Sequence, residues 1–266
     1  MIKDQFKFDY YLKILRFNLI NKITSFGYSF PKIEKNINIK NSIEKQGFYK
    51  IDNYLSDKSC EKIVNLIDEK ILDDTIKHYI SDDEGSDRRF YGFEKLDNLD
   101  VKRFNTDSNL INIGENILKT QIKNCYTMAS RLKFQKNNLG SGGGWHRDSI
   151  HKSYKALIYL TDVNLNNGPF QIIPSSSQLL KILKIDNKNY CKLRYENSEI
   201  NEYLKKNGEN LKTIIGQAGT MILFDGSNLH RGSPIEDGLR YSLTNYYFPK
   251  RIINRERNKV KEFLIN

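Results

Sequence analysis

Residues 142–148 read Gly142-Gly143-Gly144-Trp145-His146-Arg147-Asp148. Three glycines lead into a segment where a histidine and an aspartate stand two positions apart. Side chains of an extended strand alternate between faces, so His146 and Asp148 are expected on the same one. A neutral imidazole and a carboxylate projecting together can take two adjacent positions on one divalent cation. The third ligand must come from elsewhere, and the 266-residue chain has four histidines in all. His230 is the best placed, in the turn that follows the apolar strand Thr220-Met221-Ile222-Leu223-Phe224. Beyond it, Arg240 opens a second alternating run that reaches Tyr246. Two histidines and one carboxylate on one face of a metal, with other positions open, are the arrangement of non-haem Fe(II) oxygenases. A downstream arginine suits a bidentate grip on the carboxylate of a co-substrate. His151 is the rival ligand, but strand parity directs it to the opposite face, beside the site or at the surface. His78 is far from every motif and is expected in solvent.

From Tyr126 onward short strands are broken by Gly, Asn and Pro, which predicts an antiparallel double-sheet jelly roll. Upstream, helical spacing dominates. Ser56 is a candidate N-cap for a helix whose Cys60, Ile63, Val64, Ile67 and Ile71 face a sheet. A second helix is expected over Ser108–Lys123. The charged segment Ser81–Arg89 reads as an irregular loop. Tyr11, Leu15, Leu19 and Ile23 repeat at four-residue spacing, which predicts an N-terminal amphipathic helix packed on the main domain. Contact of that helix with a membrane surface is the less favoured alternative. Gly27, Pro31 and scattered Lys and Asn make residues 27–42 a connector.

These blocks resemble the phytanoyl-CoA dioxygenase-like (PhyH) family of Fe(II)/2-oxoglutarate oxygenases. The resemblance runs through Trp145–Asp148, Ala156–Val163, Asn166–Ser177, Gly219–Asp225 with His230, and Arg240–Ser242. It covers roughly residues 43–250, with 1–42 as helix and connector and 251–266 as a basic tail or helix. It departs at Gln178, where the family's Pro-Gly-Ser-His turn ends in a histidine that is not an iron ligand. The resemblance implies a mostly β fold with flanking helices around a double-stranded β-helix, or cupin-like, core. It also implies Fe(II) held by His146, Asp148 and His230, with 2-oxoglutarate and O₂ as co-substrates and succinate and CO₂ as products. Arg240 is then expected to hold the distal carboxylate of 2-oxoglutarate, with Ser242 on the same strand face as a hydroxyl donor. A basic or amide residue near the glycine loop often assists in the family. Arg131, Lys133 and Gln135 on one strand face, or Lys136 on the other, are the candidates. Relatives that halogenate replace the carboxylate ligand with a small residue, so Asp148 points to hydroxylation or another oxidation.

The formal net charge of +11 and pI of about 9.3 favour an anionic partner. Lysines scattered among Asn and Ile fit an AT-rich coding bias equally well. Arg88 and Arg89 are the expected contacts to an anionic small-molecule substrate, if their loop covers the pocket. Trp145 and Tyr159 either pack in the core or shape that pocket. A phosphorylated, nucleotide-linked or acidic sugar, or an acyl thioester, would suit the charge. No recognition motif for nucleic acid is present. Cys60, Cys125 and Cys191 lack Cys-x-x-Cys spacing, which indicates a reducing compartment. No window reaches the roughly 18 apolar residues of a membrane span, and no uncharged signal core opens the chain, so a cytoplasmic protein is expected. The rival readings are a catalytically silent jelly-roll binding module and an oxygenase acting on a macromolecule. Oligomeric state has no signature in the sequence.

Overall fold

A computed structural model describes residues 2–81, 85–185 and 192–265. The N-terminal part alternates helices with short strands: α1 (Ile2–Thr24), α2 (Ile37–Gln46), β1 (Phe48–Ile51), α3 (Asp57–Ile71), β2 (Tyr79–Ile80) and β3 (Asp87–Tyr91). Next come α4 (Leu99–Thr106), α5 (Ser108–Leu118) and β4 (Ile122–Lys133). The central part holds β5 (Trp145–His146), β6 (Tyr154–Tyr159), β7 (Phe170–Ile172), α6 (Leu179–Ile185), β8 (Arg194–Tyr195) and α7 (Asn197–Asn207). The chain ends with β9 (Lys212–Ile214), β10 (Met221–Phe224), β11 (His230–Gly232), β12 (Leu239–Pro249) and α8 (Ile253–Asn258).

Two open antiparallel sheets result, ordered β1-β10-β6-β12-β4-β3-β2 and β8-β5-β11-β7-β9. Strands distant in sequence lie side by side, as in a jelly roll: β6 sits between β10 and β12, and β11 between β5 and β7. The larger sheet is covered on both faces, so β6 and β12 read as nearly continuous buried runs instead of clean alternation. One face packs against helices, where Cys60, Ile63, Ile67, Phe104 and Ile113 meet Ala156, Ile158, Leu223 and Leu243. The other packs on the smaller sheet through Tyr159, Phe170, Ile172, Ile222 and Phe224. The metal-ligand candidates stand beside this second layer.

Local signals held where local chemistry decides. Ser56 caps α3, its side chain accepting from the Ser59 N–H at 3.2 Å. Elsewhere tertiary structure corrects the expectation. The connector contains α2. The helix predicted to reach Lys123 stops at Leu118, because Lys119 turns left-handed (φ 53°) and β4 begins at Ile122. The loop expected over 81–89 becomes strand from Asp87, paired with β4; Asp82–Glu84 lie outside the described residues. The basic tail folds back on the body, and the Ile265 N–H donates to Tyr91 O at 2.9 Å. The N-terminal stripe Tyr11, Leu15, Leu19 and Ile23 faces solvent instead of the body. Cys60 and Cys125 are buried and free, while Cys191 falls outside the described residues.

Candidate metal centre

His146 closes β5 and His230 opens β11, and the two residues are direct partners across the antiparallel pair. Their ring centroids are 4.3 Å apart. His230 is thus a strand residue and not the turn residue its neighbours suggested. β5 is two residues long, so parity along a strand does not by itself place Asp148. The carboxylate is brought round by its own N–H, which donates to Gly226 O at 2.9 Å in the turn after β10. Asp225 pins that turn by accepting from the Ser153 N–H (3.0 Å), the Ser227 N–H (3.0 Å) and Ser227 Oγ (2.7 Å). Ligand atoms of His146, Asp148 and His230 all lie within 4.8 Å of one another.

The hydrogen bonds fix which nitrogens face the metal position. Nδ1 of His146 is 2.9 Å from Gly144 O, and Nδ1 of His230 is 2.8 Å from Asn228 O. A carbonyl only accepts, so each Nδ1 carries the proton and each Nε2 presents a lone pair. Those Nε2 atoms lie 3.9 Å from Asp148 Oδ1 and 3.6 Å from Asp148 Oδ2 respectively. Asp148 Oδ2 is buried with no hydrogen-bond partner. A divalent cation at this point satisfies the orphaned oxygen and both lone pairs. Burial, reinforced by the neighbouring His230, lowers the His146 pKa to about 3, and burial lowers that of His230. Burial pushes Asp148 up, but the Lys155 ammonium outweighs it and holds the carboxyl at about 2. The ligands are already in the protonation state that a metal requires.

Two glycines are required by close approach. A Cβ on Gly142 would collide with the His146 ring, and one on Gly226 with Asp148 Oδ2. Gly226→Ala is therefore expected to weaken Ni(II) or anaerobic Fe(II) binding by about tenfold or more in calorimetry, as displaced ligand supports do. Unchanged affinity would show that the turn relaxes freely.

A cavity of 320 Å³ opens beside the triad. Five cations reach its wall, Arg89, Arg147, Lys155, Arg194 and Arg240, against one carboxylate, Asp148. Arg240 is fully buried, donating through Nη1 to Gly168 O. Ser242, two residues on along β12, also lines the cavity, and its hydroxyl is 2.8 Å from Ser130 Oγ of β4. Lys155 escaped the sequence reading. Its Nζ donates to Asp148 Oδ1 at 2.6 Å and lies 4.2 Å from the Tyr246 ring centroid. It stands just before the Ala156–Val163 block and was passed over. Its even spacing with the cavity-lining Leu157 was the available signal.

Other expected contacts lie elsewhere. Arg89 lines the cavity and pairs with buried Asp87, whereas Arg88 turns to the opposite strand face, 3.5 Å from His78 Nε2. His78 is accordingly half-buried against Phe90 and not in open solvent. Arg131 reaches Asp68 on α3 at 3.3 Å, and Lys133 and Lys136 are exposed; none of these, nor Gln135, lines the cavity. Trp145 is buried among Ile173, Tyr195 and Leu229, with the Arg231 guanidinium 4.6 Å from its ring centroid. Tyr159 ties the sheets together, its hydroxyl donating to Ile214 O and accepting from the Phe170 N–H, both at 2.8 Å. Both rings belong to the core. His151 stacks on Phe17 of α1 at 4.2 Å, outside any strand.

The family model of phytanoyl-CoA dioxygenase (PhyH) matches residues 43–236. The chain belongs to this family. It is a 2-oxoglutarate-dependent non-haem iron enzyme, with Fe(II) and 2-oxoglutarate as cofactor and co-substrate. Arg240 and Ser242 fall just beyond the matched range, so their place in the site rests on the geometry of β12. Solved structures share the fold. The epimerase SnoN from nogalamycin biosynthesis superposes with a TM-score of 0.61 at 13% identity, covering 81% of this chain and 83% of SnoN. The carbocyclase SnoK from the same biosynthesis gives 0.61 at 14%, covering 83% and 87%. HygX from Streptomyces hygroscopicus, solved with nickel and 2-oxoglutarate bound, gives 0.56 at 14%, covering 83% and 88%. Among curated proteins none matches the sequence.

Proposed function

We propose that this PhyH enzyme hydroxylates an unactivated C–H bond of a small anionic metabolite, of sugar or acyl type, with release of succinate and CO₂. The observation that carries the reading is the cavity lining, with five cationic residues to one carboxylate, although Arg147 turns its guanidinium to the Tyr195 ring, 5.4 Å from the centroid. Bound iron with 2-oxoglutarate supplies the oxidising chemistry, and this chain's residues bind, orient and exclude water. Arg240, fully buried on β12 with Ser242 beside it, is assigned the distal carboxylate of 2-oxoglutarate. Arg89 and Lys155 are each engaged by a protein carboxylate. Arg194 is exposed at the glycine loop, where Nη1 donates to Gly142 O at 2.8 Å, and is assigned the anionic group of the substrate. Asp148 is the carboxylate that halogenating relatives lack, which supports hydroxylation or another oxidation over halogenation.

The cavity volume supports a small molecule over a macromolecule. So does the occupancy of two neighbours, SnoN with nogalamycin RO and HygX with hygromycin B. The buried free Cys60 and Cys125 suit a cytoplasmic setting.

The founding test is succinate formation by purified protein with Fe(II), 2-oxoglutarate and ascorbate. A wild-type protein that binds Ni(II) yet makes no succinate, alone or with anionic metabolite pools, would be the silent binding module instead. Within the active enzyme, Arg240→Lys loses the planar fork that matches a carboxylate. Its KM for 2-oxoglutarate is expected to rise at least about tenfold, roughly 1.4 kcal/mol, with metal affinity unchanged. An unaltered KM removes the assignment. Arg194→Gln is expected to raise the KM of the oxidised substrate by about tenfold, the weight of one charge-assisted hydrogen bond, and to flatten its salt dependence. Wild-type coupling at every salt concentration would return the net charge to coding bias.

A further inference from the structure

Helix α1 is docked by one face only. Tyr10 is 1% exposed, and Phe17 stacks on His151. Asn21 Oδ1 accepts from Arg251 Nη2 at 2.8 Å, and just past the helix Ser25 Oγ donates to Thr120 Oγ1 at 3.1 Å. At 3.6 residues per turn, this leaves Phe8, Tyr11, Leu12, Leu15, Leu19 and Ile23 on the outer face. Those six side chains are 40–63% exposed, and Phe26 beyond them is 94% exposed. Contiguous apolar stripes of this kind mark an interaction surface.

We infer that this face of α1 lies in the interface of an anionic lipid bilayer, with the helix parallel to the surface. Charge selects the occupant. Lys13, Arg16 and Lys22 are exposed on α1, against the single acid Asp9 among residues 8–24. Helical spacing puts Lys13 on the side turned away from the stripe, Lys22 inside it beside Leu15 and Leu19, and Arg16 on its margin. From there long side chains reach headgroups while their stems stay in apolar surroundings. The Arg251–Asn21 bond joins the basic segment 250–259 to the same helix. A second copy of a +11 chain would set like charge against like, whereas an anionic bilayer brings the opposite sign. No helix among the described residues is long and apolar enough to cross a membrane, so the contact stays in the interfacial plane.

The test is co-sedimentation of the full chain with vesicles of phosphatidylcholine alone and of phosphatidylcholine mixed with phosphatidylglycerol. The wild type is expected to pellet with the mixed vesicles and to be released by salt. Leu15→Glu/Leu19→Glu is expected to weaken partitioning at least about tenfold by removing buried apolar area. Arg16→Gln/Lys22→Gln should weaken it about fivefold per cation, roughly twenty-five-fold in all. Both variants should keep wild-type succinate formation and thermal melts. The glutamines sit on the surface and keep the test open if the glutamate pair disturbs folding. Equal partitioning onto both vesicle types would overturn the inference. So would no binding at all, and a dimer dissolved by Leu15→Glu/Leu19→Glu would then identify a second copy as the occupant.

Discussion

His146→Ala and His230→Ala each abolish Fe(II) binding and 2-oxoglutarate turnover together. Each imidazole is one of three ligands and is held by a single hydrogen bond from Nδ1 to a backbone carbonyl, at Gly144 and Asn228. Alanine leaves a carboxylate and one nitrogen, a bidentate remnant that cannot reproduce the facial set. The fold should survive, because both rings border the cavity and β11 keeps its pairing with β7. Anaerobic calorimetry with Fe(II), repeated with Ni(II), reads the metal, and succinate reads the chemistry. His151→Ala is the control, since that ring is stacked on Phe17 and has no path to the centre. Wild-type metal affinity in either ligand variant would remove the triad. Loss of metal in His151→Ala would mean that the site depends on the docking of α1.

The triad was legible because each ligand carried a local mark. His146 and Asp148 follow a glycine run, and His230 follows an apolar strand end. The glycines proved necessary for a reason that spacing does not contain, the approach of Gly142 to His146 and of Gly226 to Asp148. Arg240 and Ser242 both line the cavity, as spacing two apart predicts, because β12 is long and keeps its period over both residues. Parity failed where strands are short. β5 is two residues long, and a tight turn delivers Asp148. Lys155 was not legible as a site residue, and Arg89 was singled out on a loop that proves to be a strand, because each owes its position to pairing with strands far along the chain: β6 with β10 and β12, and β3 with β4. The N-terminal helix packs on the main domain as expected, but by the face opposite the apolar stripe that marked it. Periodicity gives the face, and only the partners Tyr10, Phe17 and Asn21 show which side is docked.

Lys155→Met is expected to lower the melting temperature and to make it depend more strongly on metal. Lys155 is buried, and its Nζ supplies the cation that Asp148 Oδ1 meets at 2.6 Å. Methionine keeps the stem and its place beside the Tyr246 ring but leaves the carboxylate facing only neutral imidazoles. Breaking a buried pair by removing one partner costs about 3 kcal/mol, the lower end being apt because the carboxylate borders the cavity. For a chain of this size that is a fall of roughly 10 °C. A divalent ion offers the same carboxylate a replacement charge, and in the variant it no longer sits beside a lysine. Saturating Ni(II) should therefore raise the melting temperature of Lys155→Met by more than it raises that of the wild type. The two readouts separate the roles of the side chain. A lower melting temperature with an unchanged metal increment would make Lys155 a packing residue. Wild-type values in both would show that Asp148 does not need its charge.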